Sequence, residues 1–113
     1  MDLILLKACL KGLIDTDGGI YNHNQKSLQI CFYNSSLTLI NSVYKAFIIL
    51  GFKPFLYKKK DGKCVISISG KDAIKYIDKI GFSNQKNLFK SEYYKQFGIV
   101  PLNSIVEKYL FFD

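Results

Sequence analysis

Twice along this chain, an apolar repeat of helical spacing gives way to short alternating segments joined by turn residues. Leu3, Leu6, Leu10, Leu13 and Ile14 recur on one helical face, and the repeat stops at Asp17-Gly18-Gly19. The spacing predicts a helix over about residues 3–15. Ile20 to Asn24 and Leu28 to Tyr33 then alternate around the polar stretch His23-Asn24-Gln25-Lys26, the pattern of a hairpin. In its second arm Leu28, Ile30 and Phe32 are expected to face inward, leaving Gln29, Cys31 and Tyr33 on the other side. Ser35 or Ser36 offers a cap for a second helix with Leu39, Val43, Phe47 and Leu50 on one face and Gly51 as its stop.

The plan then repeats. Asp61-Gly62, flanked by extended apolar runs, is the strongest short-range hairpin signal in the chain. A two-residue loop there sets Lys58 opposite Val65 and Tyr57 opposite Ile66. Lys58, Lys60, Lys63, Val65 and Ser67 then share the outer surface, with Phe55, Tyr57, Ile66 and Ile68 inside; a bulged loop would slip this register by one. Helices over about 71–80, 86–96 and 102–111 follow, the first two separated at Gly81. The order αββαββα describes two similar halves of one α+β domain covering residues 1–113, a four-stranded antiparallel sheet with helices on one face. A chain of 113 residues, 49% of them hydrophobic, can bury one core, which excludes disorder for most of its length.

Charge directs attention to the uncovered face. All 16 basic residues are lysine, against 9 acidic residues, for a net +7. Residues 1–51 carry 4 lysines and 3 acids, and residues 52–113 carry 12 lysines and 6 acids, so the excess lies with the second hairpin. Such an excess suits a polyanion, and two adjacent hairpins form a twisted ribbon able to enter a major groove. Tyr21, His23, Gln25, Gln29, Tyr33, Lys58, Lys60, Lys63 and Ser67 are therefore the candidate DNA contacts. Cys9, Cys31 and Cys64 are widely spaced, and with a single histidine they cannot form a four-ligand zinc site; free buried thiols in a reducing compartment are expected. Asp2 precedes the run Leu3-Ile4-Leu5-Leu6, and Lys7 and Lys11 interrupt it, which argues against a signal peptide or membrane span and for an intracellular protein.

One stretch, Leu10-Lys11-Gly12-Leu13-Ile14-Asp15-Thr16-Asp17-Gly18, breaks two rules for a core helix. An interior glycine costs about 1 kcal/mol relative to alanine, and Asp15 and Asp17 stand at the helix end where the dipole disfavours anions. Ala8 and Gly12, four residues apart, strip bulk from one face and let a second helix backbone approach. Two carboxylates at such an end make sense where a divalent cation offsets their repulsion.

This string resembles the LAGLIDADG motif of the homing endonuclease family, matching seven of nine positions, with Lys11 and Thr16 standing where the name-giving sequence has alanine. The resemblance implies that Asp17 binds a catalytic Mg²⁺, with the Thr16 backbone carbonyl assisting, and that Asp15 fixes the helix end. It implies a homodimer whose motif helices pack at Ala8, Gly12 and Asp15, where Lys11 is the departure that would oppose packing. Lys86, after Ile80-Gly81-Phe82, resembles the family's active-site lysine, and Asn34 or Ser35 matches a polar residue of its solvent network. The implied activity is Mg²⁺-dependent, site-specific cleavage of double-stranded DNA leaving 3′ overhangs, from a gene that sits inside an intron or stands free. The alternative is an intron maturase or nucleic-acid-binding regulator that keeps the fold without cutting.

Overall fold

The computed structural model describes residues 2–23 and 27–111 of the chain. Its elements are α1 (Leu3–Asp17), β1 (Gly18–His23), β2 (Ser27–Asn34), α2 (Leu37–Ile49), β3 (Phe55–Lys58), β4 (Cys64–Ser69), α3 (Lys71–Lys79), α4 (Gln85–Phe97) and α5 (Asn103–Phe111). The four strands form one antiparallel sheet in the order β1-β2-β4-β3. Three helix starts have a side-chain cap. The Asp2 carboxylate accepts from the Ile4 N–H, the Ser36 hydroxyl from Leu39 and the Asn84 amide oxygen from Lys86 and Asn87. Ser36, not Ser35, is thus the cap of α2.

Helix α1 runs two residues beyond its expected end at residue 15, and β1 begins at once. Gly18 makes this joint possible: a Cβ there would lie 2.6 Å from the Cys31 carbonyl oxygen and 2.8 Å from that of Ile14. The last turn of α1 and the first rungs of the sheet are too close for any side chain. Asp17 therefore stands at the end of the sheet with no slack between helix and strand.

The core lies between the sheet and its helices. Leu28, Ile30 and Phe32 of β2 point inward as expected and meet Leu10 and Ile14 of α1 and Ile40, Val43 and Phe47 of α2, all nearly inaccessible. Each such side chain contributes about 1.5–3 kcal/mol by leaving water. Phe47, Phe52, Tyr76 and Phe82 make an aromatic cluster whose ring centroids are 5.3–6.4 Å apart. Burial, reinforced by the nearby Asp15 charge, pushes the Tyr76 phenol well above its ordinary range.

The second hairpin corrects the expected register. Phe55 pairs with Ser67, Leu56 with Ile66, Tyr57 with Val65 and Lys58 with Cys64. The ladder ends where the Lys59 N–H donates to the Lys63 carbonyl at 2.8 Å and the Gly62 N–H returns to the Lys59 carbonyl at 3.1 Å. Gly62 adopts φ 91°, so three residues, not two, make the loop. One residue of slip exchanges the faces. Phe55 and Tyr57 share the outer face with Val65 and Ser67, while Lys58 pairs with Cys64 and points to the opposite face from the one expected, exposed at the sheet edge. Cys9 departs from expectation too: it is exposed on α1, whereas Cys31 and Cys64 are buried free thiols. No helix among the described residues is long and apolar enough to cross a membrane.

Candidate active site and nucleic-acid interface

Two aspartates two residues apart at the end of α1 have separate surroundings. The Asp15 carboxylate accepts the backbone N–H groups of Ser83, at 2.9 Å, and Asn84, at 3.1 Å. The Asn84 side chain donates back to the Asp15 carbonyl at 3.4 Å, and its oxygen caps α4 through Lys86 and Asn87. Asp15 thereby fastens the start of α4 to the end of α1 and sets Lys86 on the first turn of α4. The expected role of Asp15 in fixing the helix end matches these bonds, which engage its carboxylate within the chain.

Asp17 is exposed, and its Oδ2 accepts from the Asn34 amide nitrogen at 3.1 Å. The Asn34 oxygen accepts from the Ser36 N–H at 2.8 Å, which fixes the amide orientation and aims its N–H₂ at Asp17. Of the two polar candidates after β2, Asn34 is the one that reaches the carboxylate; Ser35 is exposed in the turn and makes no hydrogen bond to it. The Thr16 hydroxyl donates to the carbonyls of Leu13, at 2.9 Å, and Gly12, at 3.3 Å, so only its backbone carbonyl is left for other work.

The donor set suits a hard divalent cation. It consists of one carboxylate and carbonyls of a helix end, where the last residues have no intrahelical donors and the dipole is negative. Among the described residues no three His, Cys, Asp or Glu side chains come together.

Lys90 is the functional candidate that sequence reasoning missed. It lies one turn beyond Lys86 on the same face of α4 and is 6% exposed, with its Nζ 5.3 Å from the Tyr21 ring centroid. No carboxylate among the described residues pairs with it. Burial lowers its pKa, and the neighbouring Lys86 charge lowers it further. The spacing Lys86, Lys90 was the available signal.

Tyr21, Gln29 and Tyr33 occupy the outer sheet face as expected. The Tyr21 and Tyr33 rings meet edge-on at 6.3 Å, and the Lys59 ammonium stands 5.2 Å from the Tyr33 centroid. Cys31, Val65 and Ser67 are buried beneath this aromatic layer, so Ser67 forms a floor and not a projecting contact. Burial raises both the Cys31 thiol and the Tyr33 phenol, keeping them protonated at neutral pH. Lys60 and Lys63 flank the exposed turn, His23 pairs with Ser27 at the end of β1, and Gln25 lies outside the described residues. On the far side of α1, Ala8 is exposed and the space beside Gly12 is open. Ile4 and Leu5 extend that face at 79% and 56% exposure, and Lys11 on its flank is half-buried.

A family profile described as the LAGLIDADG-like domain matches residues 5–81, which include the whole string from Leu10 to Gly18. The chain belongs to the LAGLIDADG family. Its fold is likewise that of solved LAGLIDADG structures. A structure described as I-DmoI in complex with DNA and Mn superposes with a TM-score of 0.57 at 25% identity, over 74% of this chain and 45% of that one. A substituted I-DmoI with its target DNA in the presence of Mg gives a TM-score of 0.54 at 24% identity, over 71% and 43%, and speaks for the fold alone. The LAGLIDADG chain described here thus spans less than half the length of the I-DmoI chains it matches. No curated protein sequence matches it.

Proposed function

We propose that this chain is a site-specific, double-strand DNA endonuclease that acts inside the cell as a homodimer with Mg²⁺ and leaves 3′ overhangs. The observation that carries this reading is Asp17, an exposed carboxylate held by Asn34 at a helix end that enters the sheet directly. A divalent cation held by Asp17 and the Thr16 carbonyl would neutralise phosphoryl charge and lower the pKa of an attacking water.

The chain's own groups supply the rest. Asn34 holds the Asp17 carboxylate in one orientation. Lys86, positioned through Asp15 and Asn84, brings a positive charge to the charge that develops on a cleaved phosphodiester. Among the described residues one chain has one such carboxylate, and cutting two strands asks for two; a two-fold pair on the open Ile4, Leu5, Ala8 and Gly12 face of α1 would provide them. The DNA-bound state of the matched I-DmoI structures and the net charge of +7 support a duplex as substrate.

Incubation of the purified chain with its uninterrupted host locus and Mg²⁺ is expected to give breaks in both strands. Asp17→Asn is expected to lower the cleavage rate by about 10³-fold while leaving binding intact. Tight binding without a nick by the unsubstituted chain would overturn the nuclease and favour a maturase or regulator. A single 13 kDa chain on cleaved DNA in light scattering would overturn the dimer.

A further inference from the structure

The register of the second hairpin brings Phe55 and Tyr57 out of the core and onto the face proposed to meet DNA. They are 65% and 40% exposed, with ring centroids 5.7 Å apart, on the edge strand β3. Together with Gln29, Ser67 and Ser69 they line a hollow of about 520 Å³. The rungs explain the grouping, because Ser67 bridges Phe55 to Cys31 across β4 and Gln29 pairs with Ser69. The hollow has two apolar walls, a hydroxyl floor and one amide at its rim. Lys59, Lys60 and Lys63 stand at the turn end of the same hairpin, a basic group that suits a phosphate backbone.

Only one base carries an apolar group on its major-groove edge, and that group is the 5-methyl of thymine, which aromatic and aliphatic side chains contact. Glutamine is suited to the N6 and N7 positions of adenine. Arginine, the usual partner of guanine, is absent from the whole chain. We infer that this hollow reads one A·T base pair in each half-site, with Phe55 and Tyr57 receiving the thymine methyl group and Gln29 the adenine edge. The inference rests on the proposed DNA-binding function and adds to it the chemistry of one recognised base pair.

The test begins with a randomised duplex pool selected on the wild-type chain. Enriched half-sites are expected to share an A·T pair at one position. Replacing that thymine by uracil, which removes only the methyl group, should weaken binding about fourfold per half-site, the value of one buried methyl. In Phe55→Ser that penalty should vanish, and in Gln29→Ala the base preference at the same position should broaden. Thermal melts that match the wild type will show that these surface variants are folded. Uracil tolerated at every position, or a penalty that persists in Phe55→Ser, overturns the inference while the DNA reading stands. A pool with no enriched duplex, or retention of single-stranded RNA alone, removes both.

Discussion

The two helix–hairpin halves of this molecule follow one plan and differ at the joint between helix and sheet. In the first, α1 becomes β1 at Gly18 with no residue between them. In the second, residues 50–54 separate α2 from β3; Gly51 turns at φ 88° and the Lys53 N–H is tied to Asp72 at 2.8 Å. The tight joint delivers Asp17 to the end of the sheet beside Asn34. The slack joint delivers an exposed edge strand with aromatic side chains on its outer face. The proposed chemistry thus falls where the chain has no freedom, and the proposed surface recognition where it has some.

That contrast is open to measurement. Gly18→Ala should cost about 3 kcal/mol in urea unfolding, because its Cβ would strike two backbone carbonyl oxygens. Gly51→Ala should cost only about 1 kcal/mol, from its positive φ, with a flexible Lys75 ammonium as the nearest obstacle. Equal losses would break the distinction between the joints.

Asp15→Ala should cost about 2 kcal/mol, since it leaves two backbone N–H groups without their charged acceptor. Hydrogen exchange at Ser83 and Asn84 should quicken and cleavage should fall although Asp17 is intact. Unchanged exchange there would show that α4 does not depend on the end of α1.

Lys90→Met carries the opposite sign, a gain of about 1 kcal/mol at neutral pH from removing a largely buried ammonium that no carboxylate pairs with among the described residues. Burial and Lys86 lower the folded-state pKa of Lys90, so the unfolded chain holds that proton more tightly. Wild-type stability should therefore rise as pH climbs from the lowered pKa toward the ordinary lysine value of 10.5, and the variant should lose that rise. Parallel stability–pH curves for the two chains would contradict this origin.

The element order was legible in the sequence because helical spacing, strand alternation and turn pairs are local signals. Asp17 stood out as a candidate for a related reason: a glycine and two acids in the wrong places of one helix are visible without any tertiary knowledge. The second hairpin was harder, because its register turns on whether Gly62 takes a left-handed conformation, and a slip of one residue reverses the places of Lys58 and Tyr57. On α2 the inward stripe includes Ile40, with Leu39 only partly buried at its margin, a difference of one helical position. The link from Asp15 to Asn84 joins residues 69 apart, and Lys90 looks like any surface lysine until α4 is laid against β1. Neither is encoded in a short window.

A sheet with two ends faces the hazard of growing by accretion, and this one is guarded at both. At β1, the Asn22 amide engages the Val100 backbone N–H and carbonyl at 3.3 and 3.1 Å, so the linker before α5 covers that border. At β3 the border is four residues long and leads into Lys58-Lys59-Lys60. Another strand docking there in parallel register from an identical molecule would bring like charges within about 4.8 Å of one another. Fibril growth is thereby discouraged at the very hairpin that exposes its aromatic side chains.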